Sequence, residues 1–211
     1  VLERAVLPTH AAELARFLLG ICVVCAPLAA DDEICIGRIV ETEAYEPGDA
    51  ACHAFIGRTA RNASLFSSPG FAYVYFIYGM YYCFNVSAEP EGVGGGVLIR
   101  AAQPLEGLAT MRRRSGIERT RDLLRGPGRF ARALGIDRSF DGIDLTSRAS
   151  PLVLARSRVA AHEDARDVVA SARIGLTKAV DRPLRFFYRE NSFVSGTRRA
   201  NARATSEVRG A

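Results

Sequence analysis

Residues 73–85 read YVYFIYGMYYCFN. Five of the chain's seven tyrosines and two of its eleven phenylalanines stand in these thirteen positions, and the chain has no tryptophan. The stretch alternates as a strand does, and Gly79 after Tyr78 suits a protruding turn. Val and Ile alone can build a strand core, so two readings are open at this point. One is a buried strand with extra aromatics; the other is a surface on which something flat stacks.

The flanking segments give the setting. ICIGRIVETEAY (34–45) alternates, and GGGVLIRAA (94–102) is a strand entered through three glycines. SAEPEGVGGG (87–96) reads as a hairpin loop. AAELARFLLG (11–20) has helical spacing, with Thr9 as its expected cap and Gly20 as its stop. From Pro104 the pattern turns helical and Arg-rich, through PLEGLATMRRR and GPGRFARALGI, and PLRFFYREN (183–191) returns to strand. Strands first, basic helices later and a closing strand predict one α+β domain over residues 1–197, built around a curved antiparallel sheet. The polar tail 198–211 is expected to be disordered.

Charge is divided along the chain. Residues 1–100 carry 6 arginines against 11 acids, and residues 101–211 carry 22 basic residues against 12 acids. Eight arginines fall between Arg112 and Arg132, and Lys178 is the chain's one lysine. Such one-sided placement points to a polyanionic partner. No apolar run reaches about 18 residues, so no membrane span is expected. The apolar segment 17–30 lacks a basic start, which speaks against a secretory signal. Five cysteines, an odd number, suit reduced thiols in a cytoplasmic protein. Cys22 and Cys25 form a CxxC inside an apolar run with no partner motif, so no metal is expected.

Candidate chemistry centres on Glu41 and Glu43, His53 and Arg100. Residues two apart in a strand share a face, so Glu41, Glu43 and Tyr45 line one side. Either the glutamates are solvated on an edge strand, or at least one is buried for a purpose. Two parallel side chains on one face do not flank a bond as the carboxylates of an O-glycosidase do. A single-carboxylate mechanism fits better. No nucleophile elbow, phosphate loop or dinucleotide fingerprint is present.

The run GRIVETEAYEPGDAACHAF…RTARNASLF…PGFAYVYFIYGMYYCFNVS…GGVLIRAAQPLEG resembles the alkyladenine (3-methyladenine) DNA glycosylase family in its animal and bacterial form. The match extends weakly through GPGRFARALGI, RIGLTKA and DRPLRFFY, covering roughly residues 35–195. The resemblance implies a single α+β domain whose β-hairpin enters the DNA minor groove. It also implies a monofunctional, cofactor-free and monomeric enzyme that hydrolyses damaged purines from duplex DNA and leaves an abasic site. The implied substrates are 3-methyladenine, with 7-methylguanine, hypoxanthine and ethenoadenine as further candidates.

Carried over by position, Glu43 is the general base, Glu41 is structural, and Arg100 helps hold the water. Val194 is placed to offer that water a carbonyl. Tyr45, His53 and Tyr75 stack and read the flipped base, and Asn85 discriminates against guanine's exocyclic amine. Tyr78 is the wedge with Met80 beside it, and Arg129 and Arg114 contact phosphates. A loop between Tyr45 and His53 that is one residue short, with Cys52 in place of the usual small residue, departs from the family's pattern and bears on pocket shape. Two other classes stay open on the residues alone: a nucleosidase for free nucleosides, and a non-catalytic nucleic-acid-binding module.

Overall fold

The computed structural model describes residues 1–77, 79–156, 167–197, 201 and 205–206. Its helices are α1 (Ala11–Phe17), α2 (Leu108–Ser115) and α3 (Pro127–Leu134). Its strands are β1 (Cys22–Cys25), β2 (Cys35–Tyr45), β3 (Ala72–Ile77), β4 (Tyr81–Ser87), β5 (Gly96–Glu106), β6 (Leu152–Ala155), β7 (Val168–Ser171), β8 (Arg185–Tyr188) and β9 (Thr205–Ser206). Every pairing is antiparallel, in the order β3-β4-β5-β2-β8-β7-β9, with β1 and β6 branching from β2. The result is the expected α+β architecture, with the sheet curled as a half-barrel.

Strand β2 governs the curl. One edge lies along β5, while the other is shared between β1 at Cys35–Arg38 and β8 at Glu41–Glu43. The solvated-edge reading of the glutamates therefore fails, and both are fully buried. The β2–β5 register slips twice near the middle. Ile39 and Glu41 face Ala102 and Ala101, leaving Val40 over; Glu41 and Thr42 then face Ala101 and Ile99, leaving Arg100 over. Paired bulges of this kind bend a sheet and re-aim side chains.

The 73–85 stretch folds back as a hairpin in which Ile77 pairs with Tyr81. At the turn Gly79 has φ +68° and the Met80 amide donates to the Ile77 carbonyl at 3.3 Å. Tyr78 lies outside the described residues. The helix expected from Pro104 starts at Leu108, because Pro104 and Glu106 are still paired with Gly37 and Ile36. The cap of α1 is His10 rather than Thr9, and the helix ends at Phe17. The Ala11 amide at its start donates to the buried Glu89 carboxylate at 2.9 Å.

Helices α2 and α3 cover one face of the sheet, with Met111, Phe130, Ala131, Ala133 and Leu134 buried. Phe130 stacks on Phe84 of β4 with centroids 6.0 Å apart. On α1, Ala11, Leu14 and Ala15 form the buried stripe that helical spacing requires. Of the tail from residue 198, the described residues are held: Thr205–Ser206 pair with β7, and Asn201 accepts from Arg185 at 2.8 Å.

Gly107 joins β5 to α2 with φ +76°, and a Cβ there would lie 2.6 Å from the Ile34 carbonyl oxygen and 2.8 Å from Cys35 Cα. Both neighbours are backbone, so the clash cannot be relieved by a rotamer change. Gly107→Ala is expected to cost about 1–3 kcal/mol, read as a lowered urea midpoint with an unchanged slope.

Candidate active site

One rung of the sheet crosses the site. Tyr73 pairs with Asn85, Asn85 with Leu98, Leu98 with Glu43, and Glu43 with Arg185. Residues directly opposed in an antiparallel sheet present their side chains on the same face. The pairing therefore places an aromatic hydroxyl, an amide, a carboxylate and a guanidinium in one row, although Arg185 lies a hundred residues or more from the other three in the chain.

Glu41 is the anchor of this face. Its Oε1 accepts from Arg185 Nε at 2.7 Å, Arg100 Nε at 3.0 Å and the Ser195 hydroxyl at 2.9 Å. Its Oε2 accepts from the Ser195 amide at 2.6 Å. Burial opposes its charge, but Arg100 and then Arg185 outweigh that and hold the carboxyl below its ordinary value. Both Glu41 oxygens are thus engaged by protein donors. Arg185 also donates to the Ser195 carbonyl at 3.2 Å and to the Ser171 hydroxyl at 3.1 Å.

Glu43 differs because it borders open space. Its Oε2 accepts from the Tyr45 hydroxyl at 2.9 Å and its Oε1 from the Ile174 amide at 2.7 Å. Arg100 Nη1 stands 3.2 Å from the same Oε1. For Arg100, burial works against the charge, yet Glu43 and then Glu41 raise its pKa further. The bulge in β5 thus sets one cation between two carboxylates. The Val194 carbonyl, expected near the catalytic water, accepts from Arg125 Nε at 2.8 Å.

A cleft of about 660 Å³ opens over Glu43, lined by Tyr45, Tyr75, Tyr81, Arg100, Arg125 and Arg129 among others. It adjoins an inner pocket of about 150 Å³ bounded by Tyr45, Cys52, His53, Tyr73, Tyr75 and Asn85. Tyr45 and Tyr75 belong to both. His53 Nδ1 meets the Tyr73 hydroxyl at 2.8 Å, and its ring stands edge-on to Tyr75 with centroids 4.4 Å apart. Burial, with Arg61 adding to it, lowers the His53 pKa, so the ring is neutral at neutral pH. Burial likewise raises the tyrosines, Tyr73 to about 12. Tyr45 and Tyr75 also rise, so all three keep their protons. Asn85 Nδ2 donates to the Tyr73 carbonyl at 3.1 Å, which fixes the amide's orientation.

The 3₁₀ turn that carries His53 is held from two sides. Cys52 Sγ accepts from the Ala54 amide at 3.4 Å, and Asn62 Nδ2 donates to the carbonyls of His53 and Gly57 at 2.9 and 3.0 Å. The glycine run that opens β5 allows the close approach. A Cβ on Gly94 would lie 2.5 Å from Ala54 Cβ, and one on Gly96 would lie 2.7 Å from Leu65.

Sequence-predicted residues divide clearly. Glu43, Arg100, Tyr45, His53, Tyr75 and Asn85 converge on the two cavities. Met80 is 65% exposed at the hairpin turn, and Arg129 lies on the cleft rim with its side chain 51% exposed. Arg114 is not brought there. It donates to the Leu134 carbonyl at 2.7 Å and is paired with Asp32, at the end of α3. Arg185, Ser195 and the Ile174 amide were missed. A lone arginine inside the apolar run PLRFFY was the readable signal for the first; an amide from a distant loop leaves none. Among the described residues no His, Cys, Asp and Glu cluster could hold a metal ion, and no helix is long and apolar enough to cross a membrane.

A family model described as Methylpurine-DNA glycosylase (MPG) matches residues 5–192. A protein of Mesorhizobium japonicum is 51% identical over 197 residues, covering 93% of this chain and 91% of its own length. One of Paraburkholderia phytofirmans is 46% identical over 92% of this chain and 87% of its own length. A more distant one, of Francisella tularensis, is 39% identical over 90% of this chain and 96% of its own length. All three carry the provisional name 3-methyladenine DNA glycosylase.

The anchor network makes a pH-dependent contribution to stability. The folded pKa of Glu41 lies below its ordinary 4.5, so this contribution is complete above 4.5 and is lost as pH falls through the folded value. Arg185→Met should cost about 3–5 kcal/mol at neutral pH by leaving Glu41 short of a partner. The gap between it and the wild type should narrow in acid, as read by urea unfolding across that range.

Proposed function

Because the chain belongs to the methylpurine-DNA glycosylase family and is a DNA glycosylase, a hydrolase of N-glycosyl bonds in base excision repair, we propose that it takes damaged purines out of duplex DNA into the pocket of Tyr45, His53 and Tyr75 and releases them with a water activated by Glu43. The observation that carries this reading is the placement of Glu43. It is a buried carboxylate, oriented by Tyr45, Ile174 and Arg100, at the foot of an aromatic-walled cleft with a basic rim.

A base inside a duplex is out of reach, so its nucleotide must be swung out at an unstacking cost of a few kcal/mol. Tyr78 is the wedge that fills the gap and offsets part of that cost, with the exposed Met80 beside it. Stacking on Tyr45 and Tyr75 contributes about 1–3 kcal/mol for each base face. Asn85, fixed by the Tyr73 carbonyl, stands where guanine's exocyclic amine would fall. His53, with Nδ1 taken by Tyr73, has Nε2 left for the nucleotide.

In the chemical step, water adds to C1′ as the N-glycosidic bond breaks and its electron pair leaves with the base. Glu43 takes the water's proton, and its charge stabilises the oxocarbenium-like sugar. An N3- or N7-alkylated purine is cationic and departs neutral. Hypoxanthine and ethenoadenine require a proton on the base as it leaves. Arg100 keeps the carboxylate aimed, and Arg125 and Arg129 face the phosphates.

Glu43→Gln should slow single-turnover release of 3-methyladenine or hypoxanthine by about 100-fold to 10,000-fold while duplex binding is kept. Release that survives the substitution would rule Glu43 out as the base. Arg129→Ala should weaken binding alike on damaged and undamaged duplexes and reduce the slope of log K against log salt by about 1. Arg114→Ala should lower thermal stability and leave that slope unchanged.

A further inference from the structure

Arg173 has no part in the reaction outlined above, yet it is among the most tightly held side chains of the site. Its side chain is fully buried and lines neither the cleft nor the inner pocket. Nη1 donates to the Ala44 carbonyl at 2.9 Å and to Asp49 Oδ2 at 2.5 Å, and Nη2 to the Ala179 carbonyl at 3.3 Å. Its Nε, equally buried, meets no acceptor among the described residues. It lies instead against Tyr45, with the guanidinium carbon 4.6 Å from the ring centroid. Tyr45 also lines the inner pocket, which Arg173 does not reach. A cation therefore stands against the ring on which a flipped base would stack.

We propose that the Arg173–Asp49 pair sets the pocket's preference between cationic and neutral purines by fixing the charge behind Tyr45. This rests on the reading of Tyr45 as a stacking face. An aromatic ring attracts a cation to its electron-rich face. With one face already against a guanidinium, a cationic base on the other meets like charge through the ring, in a dry setting where screening is weak. Asp49 counters this. Its carboxylate is fully buried and lies against the same guanidinium. Arg182, with a side chain 42% exposed, adds a second and more distant cation 3.6 Å from Asp49. How far Asp49 cancels Arg173 decides how well a positive base is tolerated.

The same loop carries the Ile174 amide to Glu43, so loosening it would slow every substrate together. The ratio of rates on two substrates separates the roles. In single-turnover excision by the full chain, 7-methylguanine and hypoxanthine are placed in the same duplex as the cationic and the neutral base. Arg173→Met should raise the 7-methylguanine to hypoxanthine ratio about threefold to tenfold, whatever the shared loss of rate, and Asp49→Asn should lower it by a similar factor. Arg173→Lys, which keeps the charge, should hold the ratio near that of the wild type. Arg182→Gln should shift it in the direction of Arg173→Met by a smaller factor, and decides the matter where the buried-pair variants do not fold. A ratio unchanged in every folded variant, or moved the same way by the Met and Asn substitutions, overturns the proposal. A wild type that releases 3-methyladenine but neither of these two bases overturns this proposal alone, and one that releases none of the three overturns the glycosylase reading as well.

Discussion

Two carboxylates and two guanidinium groups buried in the middle of a sheet must neutralise one another, and the rest of this site depends on that constraint. Glu41, Glu43, Arg100 and Arg185 are each at least nine-tenths buried. An unpaired charge at such a depth costs several kcal/mol. Glu41 meets the requirement by taking donors from β5, β8 and the segment at Ser195 at once. Three parts of the chain are thereby fixed to one oxygen pair. Glu43 then inherits a fixed position two residues along the same strand, with Arg100 serving both carboxylates. What differs between the two glutamates is the neighbourhood, because only the second borders the cleft.

The geometry that permits this is the double slip between β2 and β5. A regular ladder would continue the pairing of Glu41 with Ala101 onto Thr42 and Arg100. The slip leaves Arg100 unpaired in the ladder and turns its side chain toward both carboxylates. The same register carries Leu98 between Glu43 and Asn85, so the amide at the pocket floor and the carboxylate at the cleft share one rung. Curvature and chemistry are thus set by the same two residues, Val40 and Arg100.

Around this rigid floor the walls come from elsewhere. His53 is delivered by a capped 3₁₀ turn that leans on glycines at the start of β5, and Ile174 by a loop anchored through Arg173. The basic rim is less uniform than the composition suggested. Arg125 and Arg129 reach the cleft, while Arg114 closes the end of a helix and Arg173 stands behind an aromatic ring. Some arginines here line the cleft and others pack the fold, and their count alone does not separate the two.

Much of the site was legible from residue order. The period-two alternation of VETEAY put Glu41, Glu43 and Tyr45 on one face, and the aromatic hairpin with its Tyr-Gly turn announced a stacking surface. These features are local, and a strand's alternation follows from backbone geometry alone. The sequence by itself therefore determined the fold class, the glutamate-bearing strand and the aromatic identity of the pocket. Which strand end stopped at Glu106, which arginines met solvent, and which amide or guanidinium completed each carboxylate were decided only by the tertiary structure. Those outcomes depend on partners such as Arg185, Ser195 and Ile174, brought from more than a hundred residues away by the requirement that buried charge be balanced.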